Sequence, residues 1–306
     1  MNIAHLIVAH NDPIHIKRLA TRLSSFSDVY IHIDLKTNVE DYITSLQEIP
    51  NCYFTQKRFC VNWGGMSIVN AELELIKEAR AKNHYDRYVL LHGADYPLKN
   101  DSDIIRFFEI NSHVEFIRGC CISDSKDYYF SDRCKRIWNM DSSVRLTKLI
   151  LRRIPLRIRS GHIGHGFSKI SIFWGSALWA LTDSCIDYVL DMSNNNRFNN
   201  WFKKSYAPDE LYFTTIIMNS AYSTRTLYCG PESRKKGLVN WRNLHYFEYP
   251  DQIRVWEKED LDYLMNRNEL YIRKVNTLQS SSLLDVLDLN NLEKAKEICI
   301  VCNTEQ

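Results

Sequence analysis

The sequence predicts an α/β fold built on a Rossmann-like, mostly parallel sheet, and three observations carry that prediction. Short β-rich runs alternate with amphipathic helical stretches through the first 120 residues, the pattern of strands joined by helical crossovers. The chain has 306 residues, 45% hydrophobic and 25% charged, the composition of a globular domain with enough material for one large core. No internal repeat or low-complexity block interrupts it.

Candidate strands span 2–9, 29–34, 51–56, 87–92 and 114–118. Between the third and fourth, Val69, Leu73, Ile76 and Ala79 recur at helical spacing behind Ser67, a residue able to cap a helix start. A helix is therefore predicted over 67–82, with its other face charged. Sheets of this kind bind ligands beyond the carboxyl ends of their strands, which singles out His10-Asn11-Asp12, Asp34-Leu35-Lys36 and Gly93-Ala94-Asp95-Tyr96-Pro97. Further along, 170–181 reads as one buried strand, 183–192 as a helix and the Asn-rich run 194–200 as a loop. The predicted organisation is a domain over 1–276, with a nucleotide-binding half (1–120) and an acceptor and catalytic half (160–276), followed by a helical appendage over 277–306.

Charge excludes one class of function. Lys and Arg number 39 against 37 Asp and Glu, a net +2, and a nucleic-acid binder normally carries a stronger basic excess. Locally, residues 133–159 hold nine Lys or Arg and a single acid, Asp141, interleaved with Trp138, Leu146, Leu149, Ile150, Leu151 and Ile154. That stretch reads either as a solvated helix or as an interfacial segment meeting anionic lipid or a lipid-linked diphosphate. The N-terminal run has no basic leader, apolar span or small-residue cleavage site, so a cytoplasmic protein is expected, peripheral at the inner membrane face if the basic stretch docks. The nine cysteines, at 52, 60, 120, 121, 134, 185, 229, 299 and 302, form an odd, irregularly spaced set, which fits a reducing compartment. Cys299 and Cys302 have metal-ligand spacing but lack the second pair that a zinc site requires.

Four segments carry a more specific signal: Ile31-His32-Ile33-Asp34-Leu35-Lys36, Val61-Asn62-Trp63-Gly64-Gly65-Met66-Ser67, Leu90-Leu91-His92-Gly93-Ala94-Asp95-Tyr96-Pro97-Leu98-Lys99, and Ala207-Pro208-Asp209-Glu210. In this order and spacing they resemble the core-2/I-branching N-acetylglucosaminyltransferase and peptide O-xylosyltransferase family, the inverting "Branch" glycosyltransferases (GT14), over about residues 10–276. The resemblance implies a GT-A-type glycosyltransferase fold, a UDP-sugar donor as co-substrate, a β-linked product on an oligosaccharide acceptor, and no divalent metal or other cofactor. An anchorless relative of this length is expected to be bacterial, working on surface polysaccharide or lipooligosaccharide, with an acceptor that can be lipid-linked. GlcNAc and xylose are the family-based expectations for the sugar transferred.

Inverting transfer needs a carboxylate to take the acceptor proton and cations to hold the departing diphosphate. By the resemblance, Glu210 is the general base, although Pro208-Asp209-Glu210 is also an ordinary acidic helix start. The family's cationic positions match Arg254, Arg273 and Lys274; Arg grips phosphate through paired hydrogen bonds and Lys as a point charge. Solvated helix ends carry such residues too. The resemblance further assigns nucleotide contacts to Ala9, His10 and Asp34, and a donor-sugar contact to Asp95. Asp34 could instead cap a helix, and Asp95 could be a buried structural acid. Trp179 and Trp241 match aromatic positions near the acceptor, where an indole face stacks on a sugar ring, with a core role as the alternative. His32 and His92 are expected to pack, as is the Trp63-Gly64-Gly65 turn. The tripeptides Asp101-Ser102-Asp103 and Asp260-Leu261-Asp262, which a metal-dependent GT-A enzyme would use as ligands, both sit at expected helix starts. The competing readings are such a metal-dependent enzyme and a silent sugar-nucleotide or glycan-binding subunit.

Overall fold

A computed structural model describes residues 1–142, 150, 159–165, 168–226, 244–249 and 251–304. Its centre is a five-stranded sheet in the order β10-β4-β1-β2-β3. The strands are β1 (Ile3–Ala9), β2 (Asp28–Ile33), β3 (Cys52–Phe54), β4 (Arg87–His92) and β10 (Ala180–Thr182). The first four are mutually parallel and β10 runs antiparallel at the edge beside β4. All seven residues of β1 are buried, which explains its near-continuous apolar run: a parallel strand covered on both faces has no solvent side to keep polar.

Chain order leaves β1 towards β2 and then returns past it to β4, so the sheet reverses direction of travel between β1 and β4. Register aligns the strand ends there, Val8 opposite His92 and Ala9 opposite Ile33. His10, Asp34 and Gly93 therefore emerge side by side from the edge where such sheets bind ligands. Gly93 is needed at this point, since a Cβ on it would lie 3.0 Å from Ile16 Cδ1 and 3.1 Å from Ala9 Cβ.

Two apolar layers cover the sheet. On one face lie α3 (Met66–Lys82) and the helices Asp183–Ser193, Asn196–Phe202 and Tyr212–Met218, with Val69, Leu73, Ile76, Ile186 and Phe213 in one cluster. On the other, Ile16, Leu19 and Leu23 of α1 (Pro13–Ser24) pack with Tyr96, Trp256 and Ile272, and with Leu283, Leu284 and Leu287 of the C-terminal helix Thr277–Thr304. That helix is more than an appendage. Asp12 accepts bonds from Thr277 N (2.8 Å) and Thr277 Oγ1 (2.5 Å), Arg18 pairs with Asp285 and Asp288, and Tyr96 donates to Asp288 at 2.5 Å.

Other boundaries differ from expectation for local reasons. Residues 170–181 form three short strands, β8 (Ser168–Ser171), β9 (Phe173–Gly175) and β10, where one was expected. β9 pairs with β6 (Gly119–Cys121), and β8 with β7 (His162–His165). The Asn-rich run is a helix, Asn196–Phe202, because Asn195 caps it by accepting from Arg197 N and Phe198 N, both at 3.1 Å. Ser67 does not cap α3, which starts one residue earlier. Asp141 instead accepts from Ser67 N (3.0 Å) and Ser67 Oγ (2.6 Å). A Cβ on Gly65 would fall 2.2 Å from Asp141 Oδ1, and Gly64 takes φ +73°, so both glycines of that turn are required.

Candidate active site

The turn bearing Glu210 is short and tightly tied. Ala207 adopts a left-handed φ of 48° and its N–H donates to Gly64 O at 3.0 Å, joining it to the turn before α3. A 3-10 turn, Pro208–Glu210, follows and leads into helix Tyr212–Met218. Pro208 starts it without losing a bond, as expected from the sequence. The Glu210 side chain remains 28% exposed, yet its Oε2 is held twice: Trp174 Nε1 donates to it at 2.7 Å and Arg133 Nη1 lies 2.9 Å away.

Arg133 itself is buried among aromatic rings, its guanidinium 4.6 Å from the Tyr129 centroid, 5.2 Å from Tyr206 and 5.7 Å from Trp174. Burial works against its charge, but Glu210 and Tyr129 more than compensate, and its pKa lies above the ordinary arginine value. One carboxylate oxygen of Glu210 is thus oriented by a cation and an indole, while part of the group meets solvent.

Two further acids crowd this place. Asp209 is half-buried as a residue, but its Oδ1 is sealed from solvent with no partner among the described residues. Burial and then the adjacent Glu210 push the Asp209 carboxyl up to about 7. Glu72, midway along α3, is fully buried, and neither of its oxygens has a hydrogen-bond partner among the described residues. Burial, with Asp209 adding repulsion, holds Glu72 well above the usual carboxylate range. His92 Nε2 lies 3.8 Å from its Oε1. Burial lowers His92 to about 3, so that ring is neutral.

Beyond His92 stands the donor-side group. Asp95 Oδ2 accepts from His92 N at 2.7 Å and lies 3.4 Å from His245 Nε2, while Asp95 Oδ1 pairs with Arg273 Nη1 at 2.6 Å. Asp95 is completely buried. Although burial opposes ionisation, Arg273 and His245 hold its carboxyl far below the ordinary value. Asp95 is thus a buried acid whose charge is paired with Arg273 through Nη1. β12 (Tyr271–Arg273) sets this pair by lying antiparallel to β5 (Asp95–Pro97), Arg273 opposite Asp95.

The remaining expected donor residues gather nearby. Lys274 N donates to Arg254 O at 3.1 Å, which makes those two residues backbone neighbours. Arg254 is 44% exposed and pairs with Asp260 and Glu248. Lys274 has no ion-pair partner among the described residues. Burial and the Arg273 charge lower its pKa. At the strand ends, Ala9 is buried and its carbonyl accepts from Asp34 N at 2.9 Å; His10 is exposed. Asp34 is 5% exposed, its Oδ1 accepting from Lys36 N at 2.9 Å and its Oδ2 3.3 Å from Lys36 Nζ.

Several expectations are corrected. Trp179 is 1% exposed and tilted against Phe213 at 5.2 Å, a core residue with no face for a sugar. Trp241 lies outside the described residues. Trp63, expected to pack, is 73% exposed and meets Tyr206 edge-on at 5.5 Å. The basic stretch does not present an interfacial face where it is described. Arg133 turns inward to Glu210, Arg136 pairs with Asp132 at 3.2 Å, and Arg159 stacks on Trp201 at 3.6 Å; residues 143–149 and 151–158 lie outside the described residues. Among the described residues no helix is long and apolar enough to cross a membrane. Both Asp-x-Asp tripeptides are helix starts: Asp101 and Asp103 open α4 (Asp101–Ile110) behind Asn100, and Asp260 completes a capping box with Glu257.

The sequence assigns Trp174 and Glu72 no role, and it offers Arg133 only as one of nine basic residues and Asp209 only as part of an acidic helix start; Glu72 stands next to the stripe of Val69, Leu73 and Ile76 that faces the core.

Comparison with known proteins identifies the family. The family model for the core-2/I-branching enzyme matches residues 3–257. Mouse beta-1,3-galactosyl-O-glycosyl-glycoprotein beta-1,6-N-acetylglucosaminyltransferase 4 is 22% identical, covering 99% of this chain and 68% of its own length. The human N-acetyllactosaminide beta-1,6-N-acetylglucosaminyl-transferase is 22% identical, covering 95% of this chain and 72% of its own. Rat xylosyltransferase 2 is 21% identical over 95% of this chain, which spans 34% of that longer protein. With five-sixths of its length matched by that model, the chain belongs to the core-2/I-branching enzyme family, and is a glycosyltransferase.

Proposed function

We propose that the protein is an inverting, metal-independent transferase that moves a sugar, GlcNAc or xylose, from its UDP conjugate to an oligosaccharide hydroxyl. Glu210 accepts the hydroxyl proton as that oxygen bonds to the anomeric carbon. The bond from that carbon to the diphosphate breaks on the opposite face, and UDP leaves with the electron pair. Lys274 and Arg254 hold the departing charge, Arg273 acts at one remove through Asp95, and Ala9, His10 and Asp34 meet the nucleoside. The acceptor we propose is an oligosaccharide of bacterial surface polysaccharide or lipooligosaccharide assembly, in keeping with the sugar acceptors in the relatives' names.

The observation that carries this reading is a line of side chains joining the two chemical ends. Arg273 contacts Asp95 (2.6 Å), Asp95 accepts from His92 N (2.7 Å), His92 faces Glu72 (3.8 Å), and Glu72 feels the charge of Asp209, next to Glu210. The residues of this line come from four distant segments of the chain. Metal independence is supported by the place of both Asp-x-Asp tripeptides at helix starts, one in the first turn behind the Asn100 cap and one in a capping box with Glu257.

The test is UDP release from a panel of UDP-sugars, with EDTA or manganese, alongside thermal shift with UDP. We expect stabilisation by UDP, turnover indifferent to EDTA, and at least a hundredfold loss of turnover in Glu210→Gln with UDP affinity kept, the scale of a lost general base. Full activity in that variant removes the assignment, and activity lost in EDTA but restored by manganese favours the metal-dependent alternative.

A further inference from the structure

Glu72 is an expensive residue. It sits in the middle of α3 with no exposed surface, flanked by buried Leu73, Leu75 and Ile76. A leucine or methionine there would have similar bulk and no polar atoms to desolvate. Burying a carboxyl without a hydrogen-bond partner costs on the order of a few kcal/mol, and the two oxygens of Glu72 have none among the described residues. Natural chains retain such a cost mainly where function needs it.

Its neighbours indicate what that need is. On one side is His92, the last residue of β4, whose backbone N–H holds Asp95. On the other is Asp209, within the turn that carries Glu210. The turn is tied through its backbone at Ala207 and Pro208 and through the Glu210 side chain to Trp174 and Arg133, whereas Asp209 Oδ1, between them, is buried with no partner among the described residues. Charge decides which form of Glu72 can act. Arg133, the cation at the turn, is matched to Glu210, and no cation pairs with Glu72 among the described residues. A full negative charge on the completely buried Glu72 has no counter-ion, so the form that fits is the neutral acid, one O–H donor and one acceptor. Asp209 Oδ1 and His92 Nε2 are both buried and unpartnered on its two sides.

Resting on the reading of Glu210 as base, we propose that Glu72 is a positioning residue: as a neutral carboxylic acid it braces the Pro208–Glu210 turn against the end of β4, and so aims Glu210. It touches no substrate and acts through Asp209. Two substitutions separate this role from a structural one. Glu72→Gln keeps the shape and a neutral donor and acceptor, and is expected to turn over the best donor of the panel within about threefold of wild type. Glu72→Leu removes the polar atoms. It is expected to melt at the same temperature or higher, to keep the KM for that donor, and to lose at least tenfold in kcat. Gain of stability with loss of kcat is a combination that a packing residue does not produce. Wild-type kcat in the Leu variant overturns the proposal. So does a Gln variant as slow as the Leu variant, since the neutral form would then not suffice, and so does a Leu variant that fails to fold while Gln folds, since the acid would then be structural. Glu210→Gln in the same assay keeps the two readings apart: if it is inactive while Glu72→Leu is fully active, only the bracing fails, and if it is active, the base assignment fails.

Discussion

Two acids close to functional residues, Asp95 and the partly buried Asp209, behave in opposite ways. Asp95 is surrounded by Arg273, His245 and the His92 amide, and it stays ionised far below the ordinary range. Asp209 is surrounded by Glu210 and Glu72 with Arg133 already matched, and it keeps its proton up to about 7. Same chemical group, similar burial of the reactive oxygens, opposite charge state: the sign of the neighbours decides. At the donor end, charge is balanced within the protein and serves architecture. At the base end it is unbalanced, which leaves a site poised to respond to a proton or a positive centre.

The sharpest way to break this contrast is to remove the single cation at the crowded end. Arg133→Met keeps an unbranched chain against Tyr129, Trp174 and Tyr206 but leaves Glu210 with Trp174 Nε1 alone and no cation beside the three acids. Turnover is expected to fall at least a hundredfold, about 3 kcal/mol in transition-state terms, while the KM for the UDP-sugar changes little. A large rise in KM with intact kcat would move Arg133 to the donor side and erase the distinction.

Next in size is the paired replacement of the two acids by amide. Asp95→Asn strands Arg273 beside an uncharged group and is expected to cost about 3 kcal/mol at neutral pH, as breaking buried pairs does. The wild-type contribution is lost on acidification, because a carboxyl held low in the folded state stabilises only above the unfolded value near 4. Asp209→Asn has the opposite sign. The folded protein retains a proton that the unfolded chain releases near pH 4, so wild-type stability declines as pH rises from 4 towards 7. The asparagine variant is expected to lose that decline and to be no less stable than wild type at pH 7. Melting temperatures of the three proteins from about pH 2 to about pH 8 check both, the Asp95 effect below pH 4 and the Asp209 effect above it, and parallel curves would show that the neighbours do not set these charges.

Much of the donor end was legible in sequence because strand periodicity fixes where strands end. The runs through Ala9, Asp34 and His92 are continuous and apolar, and their following residues necessarily share one edge once the strands are parallel. Glu210 was legible through its motif. Arg133 was not, because nothing in a stretch of nine basic residues marks which of them turn inward or which one meets Glu210. Trp179 and Trp63 exchanged roles, one buried and one exposed, since an indole carries no sequence mark of which side it faces. The Asn195 cap was hidden within a run of asparagines that reads equally as loop. Glu72 stood beside the apolar stripe of α3, and a helical wheel drawn strictly would have put it at the edge of the core.

The smallest effect is expected from the residue that sharpens the donor side. Of its three cations, Arg273 is matched by Asp95, and Arg254 by Asp260 and Glu248. Lys274 alone of the three has no acid against it among the described residues, and burial beside Arg273 makes its charge costly to keep. A dianionic group arriving there would relieve that cost, which is how an uncompensated lysine selects phosphate over neutral ligands. Lys274→Ala is therefore expected to weaken UDP about tenfold, near 1.4 kcal/mol, and to leave uridine binding and the melting temperature unchanged, measured by calorimetry on both ligands. Arg273→Ala should do the reverse, lowering stability first by stranding Asp95. Equal losses for UDP and uridine in the Lys274 variant would mean that this lysine orders the nucleoside pocket, and the donor end would then hold no free charge to set against the acids around Glu210.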